Sequence, residues 1–211
     1  RDLHSFPTRR SSDLNPFVVF VQGCPHHCPG CHNPQSHSFE GGRETGVEEL
    51  FREIRSDPLL RGVTFSGGEP FCQPGPLAEL AEQVHGIGLD VTSYTGYRYE
   101  ELLAMHNTDV DRLLDRTDVL IDGPFLLAQR DLSLRFRGSG NQRIIDMNAT
   151  RRCGKPVVLH LEEDDAAEPR ETETTLRRTV FQPGGALFLF WKHRLPLFSK
   201  IDRMRTCLFR K

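Results

Sequence analysis

Three cysteines crowd into one short stretch, Gly23-Cys24-Pro25-His26-His27-Cys28-Pro29-Gly30-Cys31-His32-Asn33-Pro34. Cys24, Cys28 and Cys31 lie four and three positions apart, so a single loop can present three thiolates to one metal group. Close-spaced thiols outside a secreted disulfide framework hold metal more often than they pair. Two metal chemistries suit them. One is a zinc site, completed by His26, His27 or His32 as the fourth ligand. The other is an iron–sulfur cubane. Most such clusters have a fourth cysteine, and none lies nearby, so one iron would stay open to an exogenous ligand. Zinc knots usually pair short Cys-x2-Cys hooks, and the spacing here favours the cluster. His26 and His27 otherwise read as solvated loop residues. His32 follows the last thiol, which fixes its backbone close to the metal.

A second stretch, Thr64-Phe65-Ser66-Gly67-Gly68-Glu69-Pro70-Phe71, places two glycines directly after a strand. They make either a tight turn with positive φ or a surface that a ligand can approach closely. Cys72, just beyond, reads as a buried or loop thiol and not a fourth ligand, because free cysteine behaves as a small hydrophobe.

The elements that must hold these loops alternate. Phe17 to Val21 is a β-branched apolar run and reads as a strand. Val47, Leu50, Phe51 and Ile54 mark one helix face, stopped by Asp57-Pro58. Strands follow at Val63–Phe65, Leu89–Tyr94 and Val119–Ile121. A helix with Pro76 in its first turn lies between the first two, with Leu77, Leu80, Ala81 and Val84 inward. Short helices are expected around Tyr99–Met105 and Val110–Leu114. Strand, loop, helix, strand is the order of βαβ units, which build parallel sheets. Each notable loop follows a strand's C-terminal end, where such sheets bind ligands.

Composition bounds the rest. The chain has 211 residues, six cysteines, 27% charged residues and a formal net charge of −2. That charge gives no general attraction to nucleic acid or an acidic membrane, and no apolar run nears the roughly 18 residues of a membrane span. A cytoplasmic protein is expected. Residues 1–14 show no periodicity and read as a non-native or disordered leader. Residues 15–160 form the domain, and 161–211 read as a divergent or disordered C-terminal segment.

The cysteine loop resembles the C-x3-C-x2-C motif of radical S-adenosylmethionine (SAM) enzymes, and Gly67-Gly68-Glu69 resembles their GGE motif. With Ser93-Tyr94-Thr95-Gly96-Tyr97, Leu120-Ile121-Asp122-Gly123-Pro124-Phe125 and Arg137-Gly138-Ser139-Gly140-Asn141-Gln142-Arg143-Ile144-Ile145-Asp146, they are similar to the activating proteins of anaerobic ribonucleoside-triphosphate reductase. The resemblance covers roughly residues 17 to 150. Many radical SAM enzymes carry an aromatic residue before the last cysteine; Gly30 fits the reductase-activating branch.

The resemblance implies a [4Fe–4S] cluster on Cys24, Cys28 and Cys31. Its open iron would be chelated by SAM, whose reductive cleavage gives a 5′-deoxyadenosyl radical. It also implies SAM contacts from the backbone around Gly30, Cys31 and His32 and from Gly67 and Gly68, with Glu69 either orienting the SAM ammonium or fixing its own loop. Thr95 and Asp122 are then pocket liners or turn residues. Arg143 meets the partner or, preferably, a surface carboxylate. The implied partners are the large subunit of the anaerobic reductase, which receives a glycyl radical, and a flavodoxin-type electron donor. The activator of pyruvate formate-lyase is the neighbouring alternative. The implied fold is α/β, an incomplete (β/α) barrel with a curved, mostly parallel sheet.

Overall fold

The computed structural model describes residues 15–160 and the strand 203–207. The expectations for residues 1–14 and for the rest of 161–211 lie outside the described residues.

Four strands form the centre of the sheet: β1 (Pro16–Val21), β3 (Gly62–Gly67), β4 (Asp90–Tyr94) and β5 (Val119–Asp122). They are mutually parallel, with Val19 beside Phe65, Val63 beside Val91 and Ser93 beside Leu120. Their connections contain helices, as a parallel crossover requires. The main ones are α1 (Val47–Ser56) between β1 and β3, α2 (Pro74–Gly86) between β3 and β4, and α3 (Tyr99–Ala104) with α4 (Thr108–Asp115) between β4 and β5.

The apolar stripes anticipated from periodicity face the sheet. Leu50 and Ile54 of α1, Leu77, Leu80 and Val84 of α2, and Leu113 of α4 join Val19, Val63, Phe65, Val91 and Leu120 in one core. Burying each such side chain contributes about 1.5–3 kcal/mol before entropy is counted. Boundaries follow local chemistry. α1 stops at Ser56, before Asp57-Pro58. α2 starts at Pro74, earlier than Pro76 alone indicates, and Gly88 supplies the left-handed residue after its end. The Asn107 side chain caps α4 by accepting from the Asp109 and Val110 amides.

The edges of the sheet are antiparallel. The strand order is β2-β7-β1-β3-β4-β5-β6, with β2 at Arg43–Gly46, β6 at Arg143–Asp146 and β7 at Arg203–Cys207. β6 runs against β5, while β7 runs against both β1 and β2. The sheet is therefore open, with a parallel centre. β7 lies within the segment 161–211, and its five residues are extended. Its sequence carries no strand alternation; pairing on both sides imposes the extended backbone. A helix, α5 (Met147–Cys153), follows β6 and is capped by the Asp146 side chain. Among the described residues, no helix is long and apolar enough to cross a membrane.

At the end of the sheet opposite the loops of interest, Asp118 joins three elements. Its Oδ2 accepts from His85 Nε2 of α2 at 2.9 Å and from the Val91 amide of β4 at 2.8 Å; its Oδ1 accepts from Asn148 of α5 at 3.0 Å. Burial opposes ionisation of this carboxyl, but the hydrogen bonds from His85, Val91 and Asn148 outweigh it and hold the group below its ordinary range. Asp118→Ala is expected to destabilise the domain by about 1–3 kcal/mol at pH 7, measured by urea unfolding, because it strands buried donors. The folded-state value is depressed, so the carboxylate's contribution is present above the ordinary carboxylate range and is lost as pH falls through the folded value. The gap between variant and parent should narrow with acidification in that window.

Candidate functional site

Because β1, β3, β4 and β5 are parallel, the loops that leave their C-terminal ends share one edge of the sheet. The cysteine loop leaves β1. Its stem is pinned by the Gly23 amide donating to the Ser36 carbonyl at 2.9 Å and the Cys24 amide to the His37 carbonyl at 3.0 Å. Buried Gln22 donates to the Ser38 carbonyl at 2.6 Å and ties the returning segment down. Cys24 is buried, whereas Cys28 and Cys31 are half-buried. The Cys31 amide donates to the Cys28 carbonyl at 3.1 Å, which turns the loop between its last two thiols. The Asn33 amide donates to Cys31 Sγ at 3.4 Å, the kind of bond that orients a metal-binding thiolate and tunes its charge. Burial raises the Cys24 thiol's pKa; backbone hydrogen bonds at His26 and His27 oppose this, and the negative charges of Glu69 and Cys28 add to it. Metal binding there would displace a proton.

The glycine loop leaves β3 and lies directly against this stem. The Gly68 amide donates to the Val21 carbonyl and the Glu69 amide to the Gly23 carbonyl, each at 2.8 Å. A Cβ on Gly68 would overlap the Gly23 carbonyl, and one on Gly67, where φ is +92°, would lie 2.9 Å from Phe20 Cα. Two stretches more than forty positions apart thus meet backbone to backbone, and only glycine permits the approach.

Glu69 is 1% exposed. Its Oε1 accepts from the Phe71 amide at 3.0 Å; its Oε2 accepts from the Gly96 amide at 2.8 Å and faces His26 Nε2 at 2.9 Å. The carboxylate joins the turn after β3 to the cysteine loop and to the loop after β4. His26 corrects the sequence reading. It is no solvated loop residue: its ring packs edge-on against Tyr97 at 4.4 Å and seats over Gly96. His27 and His32 are exposed, and His32 leans on Phe125 at 5.6 Å. Cys72 sits exposed on the turn after Glu69; burial of its sulfur, then the charges of Glu69 and Cys24, push its thiol up to about 11.

Thr95 is a turn residue, its hydroxyl accepting from the Tyr97 amide at 3.1 Å. Buried Asp122 accepts from the Tyr99 amide at 2.8 Å and is paired with Arg143, which also grips exposed Glu100 at 2.8 Å. Arg143 thus serves a buried carboxylate as well as a surface one.

The loop after β5 folds into a lobe. Gln142 Oε1 accepts from the Gly138 amide at 2.8 Å while its Nε2 donates to the Gly123 carbonyl at 3.1 Å; Asn141 donates to the Pro124 carbonyl at 2.8 Å. The lobe lays Phe125 and Leu127 over Gly30, where a Cβ would lie 2.9 Å from Leu127 Cδ1. Its outer side leaves Leu126, Leu127, Leu132 and Phe136 exposed. These apolar residues were not singled out from sequence, since a polar loop surrounds them and no period marks them.

Among the described residues, no group of three His, Cys, Asp or Glu side chains could hold a metal ion. His26, one candidate fourth ligand for a Cys3His zinc site, has its Nε2 committed to Glu69. The donor set fits a cubane instead: three thiols from one loop, each able to take a different iron, with an amide already aimed at one sulfur.

The family model for a 4Fe-4S single cluster domain matches residues 15–145. The anaerobic ribonucleoside-triphosphate reductase-activating protein of Escherichia coli (strain K12) is 32% identical over 134 residues, spanning 59% of this chain and 84% of that protein. Its namesake from Pasteurella multocida (strain Pm70) is 37% identical over 136 residues, spanning 60% and 84%. The chain belongs to the anaerobic ribonucleoside-triphosphate reductase-activating protein family. The pyruvate formate-lyase-activating enzyme of Clostridium pasteurianum is 40% identical over 115 residues, but that match spans 47% of the enzyme. Higher identity over a shorter share marks a related family.

In this activating-protein domain the contact of Gly68 with Gly23 sets the spacing of the two motifs. Gly68→Ala should lower stability by about 1–3 kcal/mol through overpacking against backbone. Gly86→Ala, at the exposed end of α2 with open space around it, should be neutral or stabilise by about 0.4–1 kcal/mol. Chemical denaturation of both variants checks the pair.

Proposed function

We propose that this chain is a radical SAM activase that generates a glycyl radical on the large subunit of anaerobic ribonucleotide reductase. The observation that carries the reading is the hydrogen-bonded contact between the cysteine loop and the Gly67-Gly68 loop at the shared C-terminal edge of parallel strands. A metal loop alone would serve many proteins; a metal loop fused to a ligand-accessible glycine backbone serves a metal that works on a bound small molecule.

Cys24, Cys28 and Cys31 hold a [4Fe–4S] cluster, and SAM binds across the backbone of Gly30, Cys31, His32, Gly67 and Gly68. When bound and reduced, the cluster supplies the electron that splits SAM into methionine and the 5′-deoxyadenosyl radical that takes a glycine Cα hydrogen. The protein's own work is positional. Glu69 holds the loops after β1, β3 and β4 together, and Asn33 orients the Cys31 sulfur. The electron comes from a flavodoxin-type donor in the cytoplasm. The sheet is the wall of an incomplete (β/α) barrel. Supporting this, the sheet face turned away from the helices carries a half-buried polar row, Thr64 beside Thr92, that suits a lined cavity better than a dry core.

The reductase's glycine loop docks on the lobe that covers Gly30. Exposed large apolar side chains beside a reactive edge mark an interaction surface, and the relatives' name supplies the partner. Leu132, 79% exposed at the lobe's tip, tests this. Leu132→Asp should leave SAM cleavage unchanged and cut glycyl radical yield on the reductase by about tenfold or more, the effect of losing one interface anchor.

The function itself is tested by anaerobic reconstitution with iron and sulfide, followed by electron-spin-resonance spectra with and without SAM. The reduced-cluster signal should shift on SAM addition, and mixing with reductase should give a glycyl radical doublet. A colourless protein holding stoichiometric zinc would sink the reading. A doublet on pyruvate formate-lyase and none on the reductase would move the chain to the neighbouring family.

A further inference from the structure

His26 lies midway between Cys24 and Cys28 and is outside the set of thiol ligands, yet it carries the cysteine loop's side-chain contact with the loops after β3 and β4. Its Nε2 is 2.9 Å from Glu69 Oε2, the same oxygen that takes the Gly96 amide at 2.8 Å. The imidazole is confined on its other sides. Tyr97 meets it edge-on with ring planes at 70°, and Gly96 lies so close that a Cβ there would overlap the ring. The imidazole is 17% exposed while its carboxylate partner is 1% exposed, so the bond lies largely out of water. A buried carboxylate needs its donors, because leaving one unmade costs the full desolvation of that oxygen.

We propose that His26 is a positioning residue. Through Glu69 it sets where the Cys24–Cys28 arm stands relative to Gly67-Gly68 and Gly96, so that the open iron and the SAM-binding backbone are in register before either cofactor arrives. This inference rests on the SAM reading above. It gives His26 no contact with SAM and no proton-transfer role. The seat on Gly96 and Tyr97 fixes the ring's direction, so that Nε2 faces the Glu69 carboxylate.

The experiment compares His26→Ala with His26→Gln, whose amide can replace the Nε2 donor. In the full chain without cluster, amide hydrogen exchange at Cys24, Glu69 and Gly96 should quicken by about tenfold or more in His26→Ala, the scale of losing a charge-assisted hydrogen bond. The interiors of α2 and β4 should stay protected, and His26→Gln should restore protection to within about threefold. In the reconstituted holoprotein, iron and sulfide content should match the parent in both variants. The SAM concentration that half-shifts the electron-spin-resonance signal should rise about tenfold in His26→Ala and return in His26→Gln.

Parent-like exchange and SAM response in His26→Ala overturn the proposal. So does His26→Gln behaving as badly as His26→Ala, which would make the ring's packing the whole effect. A uniform loss of protection through α2 and β4 also overturns it, marking His26 as a core residue only. If the parent itself shows no SAM response, the functional reading fails, and the exchange comparison alone decides whether His26 positions the loop.

Discussion

A single buried carboxylate organises the reactive edge of this protein. Glu69 sits among donors from three separate loops, and each donor is obligatory because an ionised carboxylate removed from water costs several kcal/mol unless paired. The Phe71 amide closes its own turn, Gly96 brings in the loop after β4, and His26 brings in the cysteine loop. Two of these loops also pack apolar side chains, buried Phe71 and half-buried Tyr97, against the core. Hydrogen bonds to a common acceptor act together with that packing to hold them.

The sheet makes that convergence possible. Parallel pairing of β1, β3, β4 and β5 delivers their exits to one edge, and the β1–β3 register sets Val21 beside Gly67, so the next residues of both strands are already neighbours. From there the Gly68 and Glu69 amides find the Val21 and Gly23 carbonyls with little further adjustment. The antiparallel edge strands do other work. β6 brings Arg143 to buried Asp122, and the Asp122–Arg143–Glu100 cluster ties β5, β6 and α3 together beneath the lobe.

What was legible in the sequence follows from the range of each interaction. The three thiols and two glycines could be read because their meaning lies in local spacing, and α1, α2 and the central strands because their apolar residues repeat with a period. β2, β6 and β7 are four or five residues long and largely polar or charged, so they carry no period; their conformation is imposed by neighbours. His26 was misread for the same reason. Beside a second histidine and a proline it looks like any exposed loop residue, and its partner lies 43 positions away. No local signal distinguishes a solvated imidazole from one that closes a buried contact. Glu69 was half legible: the motif marked it, but its contacts depend on where Gly96 and His26 come to rest.

Gly30 and the lobe after β5 are best understood as one feature. Side-chain atoms of Leu127 and Phe125 lie against Gly30, the residue before the last cysteine. The segment Ser139-Gly140-Asn141-Gln142 is distinctive in sequence because nearly every polar side chain in it is spent folding the lobe back on itself. Ser139 bonds Asn141 at 2.7 Å, Asn141 bonds the Pro124 carbonyl, and Gln142 bonds both the Gly138 amide and the Gly123 carbonyl. A side chain at position 30 would meet two constraints: the backbone there has φ +75°, and Leu127 Cδ1 lies 2.9 Å from where its Cβ would sit. The lobe that the polar knot folds thus brings Phe125 and Leu127 against the glycine before the last cysteine.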